Sequence, residues 1–107
     1  MARVVRCGLI QAKNELTPDH PLADVKQAMI DKHVRMVEEA AAKGVQILCL
    51  QEIFYGPYFC SEQDTRWYST AERIPDGPTT ELFQGLARKH QMVIVLPMYE
   101  EEMPGVY

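Results

Sequence analysis

The chain has 107 residues, of which 47% are hydrophobic and 24% charged, and its formal net charge at pH 7 is −4. This length allows at most one small domain, and the composition is that of a globular protein. Because acidic and basic residues are interspersed, we expect no nucleic-acid surface, which requires a clustered basic patch. No apolar run reaches the roughly 18 residues of a membrane span, so we also expect no membrane partner.

The cysteines and the N-terminal segment predict a reduced, cytoplasmic protein. The stretch MARVVRCGLIQA has an arginine inside its apolar run and therefore lacks the apolar core of a signal peptide. The three cysteines show neither a CxxC pair nor a metal-ligand spacing, so we expect no metal. Cys7 and Cys49 lie inside apolar runs, where buried thiols are expected.

The first part of the chain predicts a strand, a loop and a helix. Residues 4–12 (VVRCGLIQA) are apolar and β-branched and predict a strand, whereas residues 13–21 contain two prolines and predict a loop. From residue 22 onwards, apolar side chains recur at helical spacing and predict an amphipathic helix. Its expected buried face consists of Leu22, Val25, Met29, Ile30, His33, Met36, Val37, Ala40 and Ala41. Pro21 suits the first turn, and Gly44 suits the left-handed position after the end.

The second part of the chain predicts a strand, a helix and a strand. Residues 45–52 are apolar almost throughout, which predicts a strand covered on both faces. A long aromatic and polar connection with a PDGP turn leads to a helix from Thr79, and residues 92–99 predict a third strand. The apolar face of that helix is expected to contain Leu82, Phe83, Leu86, Ala87 and His90. Alternation of this kind predicts an α/β layer with adjacent, largely parallel strands.

The stretch LCLQEIFYGPYFC, residues 48–60, places Glu52 at the end of the second predicted strand. Ligands of open α/β sheets bind beyond the carboxyl ends of the strands, so Glu52 lies where chemistry is expected. Neighbouring rings would desolvate the carboxylate, raise its pKa and make it a better base. The rings that could wall such a pocket are Phe54, Tyr55, Tyr58 and Phe59. A surface glutamate followed by rings that pack on the core explains the same spacing equally well.

The sequence resembles the N-terminal portion of the carbon–nitrogen hydrolase (nitrilase) superfamily over essentially all of its length. The segments that carry the resemblance are VRCGLIQA, EEAAAKGVQILCLQE, FYGPYFC, IPDGPTT and LARKHQMVIVLPMYE. Within the superfamily, it is most similar to the branch with β-ureidopropionase and N-carbamoylputrescine amidase. The resemblance implies an α-β-β-α sandwich of which residues 1–107 form an N-terminal part.

The resemblance also implies a Glu–Lys–Cys triad, in which Glu52 matches the general base. The lysine would stabilise the oxyanion that forms when the cysteine attacks the carbonyl carbon. Phe54 and Tyr58 would line the substrate pocket. The implied reaction is hydrolysis of an N-carbamoyl amine or N-carbamoyl β-amino acid without a cofactor, in an enzyme that is a homo-oligomer when full length.

The sequence departs from the family pattern because no lysine or cysteine stands in the catalytic context. Cys7 and Cys49 lie inside predicted strands, and Cys60 matches a non-catalytic family cysteine. We therefore expect a truncated enzyme domain that is inactive alone and leaves one sheet face uncovered. Two other functions stay open: an amidase for aliphatic or ω-amides, and a non-catalytic module that pairs with another chain.

Overall fold

A computed structural model describes residues 2–107. The elements are β1 (Cys7–Leu9), α1 (Leu22–Ala42), β2 (Ile47–Cys49), α2 (Pro78–His90) and β3 (Val93–Val95). Two short 3-10 helices, Phe59–Ser61 and Thr65–Thr70, lie in the connection between β2 and α2. The predicted order of strands and helices and the α/β class are confirmed.

The three strands form one parallel sheet in the order β1-β2-β3, with Gly8, Leu48 and Ile94 side by side in the central register. Each strand has only three residues, so the longer predicted strands are wrong at both ends. Single backbone hydrogen bonds extend the pairing beyond the carboxyl ends, from Ile10 N to Cys49 O and from Leu50 N to Val95 O. Regular strand pairing does not continue beyond these two bonds.

Helix α1 matches its prediction closely. Pro21 stands at its N-cap position, and Gly44 has a φ of +77° just after its end, where a residue with a Cβ would be strained. The buried residues of α1 fall on the predicted face: Val25, Met29, Ile30, His33 and Val37. In α2, Thr79, Phe83 and Leu86 are buried. Leu82 was predicted on the buried face, but it is 41% exposed because it lies on the outer side of the helix.

Both helices cover the same face of the sheet. Met29 and Val37 of α1 and Phe83 of α2 share one apolar cluster with Leu48 of the central strand. The opposite face is open in this chain, where Leu9 is 86% and Val93 59% exposed. The prediction that β2 is covered on both faces is therefore wrong for this chain.

The open face also changes the expected burial of two thiols. Cys7 lies on the same side of β1 as Leu9 and is exposed, whereas Cys49 is partly buried. The prediction of two buried thiols fails for Cys7 because successive strand residues alternate between the covered and open faces. In the part of the chain that the structure describes, no helix is long and apolar enough to cross a membrane.

Candidate active site

Glu52 lies in the turn that follows β2, at the edge where all three parallel strands end. The turn covers residues 52–55, and its second residue, Ile53, has a φ of +47°. A β-branched residue in this left-handed region is strained, and such residues are concentrated at functional sites. The Glu52 side chain is exposed, so the residues that follow it do not by themselves desolvate its carboxylate.

Gln51 connects the start of the turn to the end of the neighbouring strand. Its side-chain Oε1 accepts a hydrogen bond of 2.7 Å from the backbone N of Ala12, which follows β1. The bond spans the carboxyl edge of the sheet from β2 towards β1. It therefore fixes the residue immediately before Glu52.

Tyr55 connects the other end of the turn to the segment after β3. Its hydroxyl donates to the backbone O of Tyr99 and accepts from the backbone N of Tyr99, both at 3.1 Å. Only 1% of Tyr55 is exposed, and its burial raises the pKa of the hydroxyl, which stays protonated at neutral pH. A protonated hydroxyl can both donate and accept, as these two bonds require.

Phe54 does not line a pocket. Its ring has no exposed surface and lies 5.0 Å from the His33 ring and 5.2 Å from the Phe83 ring, measured between centroids. The predicted role in a substrate pocket is thus not supported, because the turn directs this ring towards the helices. Phe54 instead anchors the turn in the apolar core between α1 and α2.

Tyr58 lies on the solvent side of the same edge and is 65% exposed. The neighbouring Cys60 thiol and, to a smaller extent, the Glu52 carboxylate raise the pKa of the Tyr58 hydroxyl. Tyr58 therefore lies near both Cys60 and Glu52. The role of Tyr58 in a substrate pocket stays a prediction.

Phe59 belongs to an aromatic cluster beside this edge. Its ring stacks on Trp67 at 5.7 Å and lies 4.8 Å from the Tyr99 ring. Trp67 is buried, whereas Tyr68 is 43% exposed and stacks on Tyr107 at 4.6 Å. The rings of this segment therefore pack mainly on one another and do not surround the Glu52 carboxylate.

An ion pair between the partly buried Lys26 and the buried Glu72, which was not predicted from the sequence, supports the edge from the helical side. Lys26 Nζ lies 2.5 Å from Glu72 Oε2, donates to Thr70 O at 2.9 Å, and stands 4.6 Å from the centre of the Tyr55 ring. Burial alone would raise the pKa of Glu72, but hydrogen bonds from Lys26 and Thr79 outweigh it and leave this pKa lowered. Lys26 follows the polar pattern of α1, so its spacing gave no sign of this contact.

Three of the four remaining lysines are paired with carboxylates, and the cysteines form no disulfide within residues 2–107. Three further lysines pair with carboxylates away from Glu52, in the pairs Lys32–Glu15, Lys43–Glu39 and Lys89–Glu38. All three cysteines are free thiols. Within residues 2–107, no three side chains of the His, Cys, Asp and Glu types come together as a metal site. The edge thus presents one carboxylate held in a fixed turn.

Comparison with known proteins gives a consistent family assignment. A sequence model of the family described as carbon-nitrogen hydrolase matches residues 8–107. The chain is 40% identical to β-ureidopropionase of Arabidopsis thaliana over 101 residues, which cover 94% of this chain and 24% of that protein. It is 36% identical to N-carbamoylputrescine amidase of Oryza sativa subsp. japonica over 78 residues, 73% of this chain and 26% of that protein.

A third relative has a different name. Over 87 residues, the chain is 32% identical to an omega-amidase of Xenopus laevis, covering 80% of this chain and 29% of that protein. The chain thus spans about a quarter of the length of the first two of these relatives.

Proposed function

The chain belongs to the carbon–nitrogen hydrolase family, and on this premise we propose that Glu52 is the general base of an active site that hydrolyses a non-peptide carbon–nitrogen bond. The proposed substrate is an N-carbamoyl amine or an N-carbamoyl β-amino acid. The two relatives with 40% and 36% identity, a β-ureidopropionase and an N-carbamoylputrescine amidase, support this substrate class.

The proposed chemistry needs a base because an amide or ureido carbon is a poor electrophile. Glu52 takes the proton of a cysteine thiol, and the thiolate sulfur forms a bond to the carbonyl carbon. When the carbon–nitrogen bond breaks, Glu52 returns the proton to the leaving nitrogen, so ammonia or an amine departs. Water then hydrolyses the resulting thiocarbamate, or the thioester if the substrate is an amide, to a carbamate or a carboxylic acid and regenerates the thiol. A lysine ammonium stabilises the oxyanion at both stages.

The single observation that carries the proposal is the position of Glu52. It stands on a strained turn at the carboxyl edge of a parallel sheet, where α/β proteins bind ligands. Its carboxylate is exposed and thus accessible to a reacting group. Buried side chains of the turn, Phe54 and Tyr55, pack in the core, so the backbone that carries the Glu52 carboxylate has a defined position.

The lysine and the nucleophilic cysteine of the proposed triad come from outside residues 2–107. Lys26, Lys32, Lys43 and Lys89 each have a carboxylate partner. Lys13, the fifth lysine, lies in the loop after β1, which does not match the context of the family's catalytic lysine. The 107-residue polypeptide is therefore expected to release no ammonia from N-carbamoyl-β-alanine. Release above the level of a Glu52→Gln variant would contradict this division of the triad.

A second candidate within the family is hydrolysis of an aliphatic or ω-amide. The omega-amidase relative with 32% identity favours it. A third candidate is a non-catalytic module that pairs with another chain, which the open sheet face favours. Assaying one preparation of the complete enzyme with N-carbamoyl-β-alanine, N-carbamoylputrescine and an ω-amide separates the two activities from each other and from the module.

The base assignment is tested by Glu52→Gln in the complete enzyme that contains this segment. We expect turnover to fall by at least about a hundredfold, the lower range for a positioned general base, with the fold unchanged. Glu102→Gln is the matched control, because Glu102 is also exposed and contributes only backbone hydrogen bonds to its loop. Turnover by Glu52→Gln equal to that of the control would exclude Glu52 as the base.

A further inference from the structure

We propose that Gln51 and Tyr55 are positioning residues that hold Glu52 in place from opposite sides of its turn. The inference rests on the proposed function only in taking Glu52 as the group to be positioned. Gln51 precedes the carboxylate and binds the segment after β1, whereas Tyr55 follows it and binds the segment after β3. The turn of the central strand is thus attached to both neighbours.

The Gln51 attachment depends on one acceptor atom. Oε1 of Gln51 receives the Ala12 N–H at 2.7 Å, and the residue pair is partly buried. Ala12 lies beyond the last strand hydrogen bond from β1, the one from Ile10 N to Cys49 O. The side chain therefore continues the connection between the two segments after regular pairing has ended.

The Tyr55 attachment depends on its hydroxyl, and a lysine of α1 contacts the ring that carries this hydroxyl. The ring lies under Lys26 Nζ at 4.6 Å, and the same ammonium binds Glu72 and the carbonyl of Thr70. Glu72 also donates its backbone N–H to Tyr99 O at 3.0 Å, the oxygen that the Tyr55 hydroxyl contacts. The hydroxyl and its Tyr99 partner are consequently fixed by the same network.

External attachment is needed because the turn is weak internally. Ile53 has a φ of +47°, a conformation that costs a β-branched residue energy and persists only when its surroundings enforce it. The backbone hydrogen bond within the turn, from Gly56 N to Ile53 O, is 3.3 Å long and contributes little. Without the two side-chain attachments, residues 52 and 53 would relax towards ordinary backbone conformations.

The positioning role can be separated from apolar packing. Phe54 and the Tyr55 ring are almost fully buried, so a Tyr55→Phe variant retains the packing and loses only the hydroxyl. Gln51→Met similarly keeps the side-chain length and loses the acceptor, whereas Gln51→Glu keeps an oxygen that can accept the Ala12 N–H. A residue that only fills space would not distinguish methionine from glutamate in this way.

The test measures ¹⁵N relaxation order parameters of the Glu52 and Ile53 amides in the 107-residue chain. We expect about 0.85 in the unmodified chain and less than about 0.6 in Gln51→Met and Tyr55→Phe. Gln51→Glu should restore the higher value. Val37→Ala is the matched control, because it creates a cavity in the apolar cluster that contains Phe54 and Tyr55 but removes neither attachment, so it should leave the turn ordered.

Order parameters in Gln51→Met and Tyr55→Phe equal to those of Val37→Ala would overturn the proposal. If Tyr55→Phe does not fold, the comparison of Gln51→Met with Gln51→Glu decides alone, and equal values in those two variants also overturn it. The measurement needs no turnover. If Gln51→Met and Tyr55→Phe lose order but the complete enzyme hydrolyses none of the three substrates named above, the positioning role is supported and the proposed catalytic role of Glu52 is contradicted.

Discussion

Lys26 and Glu72 form an ion pair of 2.5 Å that joins the first turns of α1 to the loop before α2. Glu72 also accepts hydrogen bonds from the backbone N and the hydroxyl of Thr79, at 2.8 Å and 2.5 Å, near the N-terminus of α2. The Glu72 carboxylate therefore binds Lys26 and the first turn of α2 at once. Its negative charge also interacts favourably with the positive N-terminal end of the α2 dipole. Two helices and the connection between them meet at one buried charge.

Lys26→Met should destabilise the chain strongly, because it leaves the Glu72 charge buried without its partner. We expect the free energy of unfolding to fall by about 3–5 kcal/mol, as when one member of a buried pair is removed. Urea unfolding monitored by circular dichroism measures this loss. Lys43→Met is the control, since the Lys43–Glu39 pair is exposed and should contribute less than about 1 kcal/mol. Similar losses in both variants would contradict the buried-pair interpretation.

Acid should weaken the fold partly through His33. Its ring is fully buried, burial lowers the pKa of the imidazole below 6.5, and the nearby Lys32 charge lowers it slightly further. The hydrogen bond between Nδ1 and Met29 O opposes this shift, whereas the buried Nε2 has no partner.

The unfolded chain therefore binds a proton on His33 at a higher pH than the folded chain does. Stability should be complete above about pH 6.5 and decrease as the pH falls, by at most about 1.4 kcal/mol per pH unit from this group. Urea unfolding at several pH values should show a smaller loss in His33→Leu than in the unmodified chain. The exposed His20→Leu variant should retain the full loss. An identical pH dependence in His33→Leu would contradict the assignment.

Two glycine substitutions should have opposite effects on stability. A Cβ on Gly77 would lie 2.4 Å from the carbonyl oxygen of Arg73, a contact that forces the backbone to move. We expect Gly77→Ala to lower the free energy of unfolding by about 1–3 kcal/mol. A Cβ on Gly85 meets nothing within 4 Å, and Gly85→Ala in the interior of α2 should raise it by about 0.5–1 kcal/mol. Thermal unfolding of the two variants side by side measures both changes.

The open sheet face should make the isolated chain self-associate. Val93 exposes apolar surface beside Ile47 of the central strand, and Leu9 exposes more on the same sheet face, in register with Cys49. Exposed apolar patches promote association. Sedimentation velocity should show larger species as concentration rises, and Leu9→Lys should shift the distribution towards monomer. Val106→Lys removes an exposed apolar side chain elsewhere and should leave the distribution unchanged. Equal shifts in both variants would exclude the sheet face as the cause.

The sequence predicted the helices well because their signals are local. Apolar spacing of three and four residues identified the buried face of α1, and Pro21 and Gly44 marked its two ends. The strand order followed from the alternation of elements. Strand length did not, because pairing depends on where neighbouring segments diverge, which a single run of apolar residues does not record.

The candidate site was only partly predictable. The position of Glu52 at the strand edge followed from the pattern of the strand and the resemblance. The directions of the four following rings did not, because they depend on the backbone of the turn and of the loop after it. That backbone includes a left-handed residue at Ile53, a conformation that an isoleucine side chain does not predict. The partnership of Lys26 and Glu72 joins residues 46 positions apart, and each alone resembles an ordinary surface charge.

Cys7 and Cys60 are exposed free thiols, so a thiol reagent can label both without any substitution in the chain. Cys7 lies on the open side of the sheet, whereas Cys60 neighbours Tyr58 at the strand edge. The labelling rates of these two thiols, measured in any longer polypeptide or assembly that contains this segment, would therefore report the accessibility of both surfaces in one experiment. Slowed labelling of Cys7 would report that the sheet has acquired a cover, and slowed labelling of Cys60 would report that the neighbourhood of Glu52 has closed.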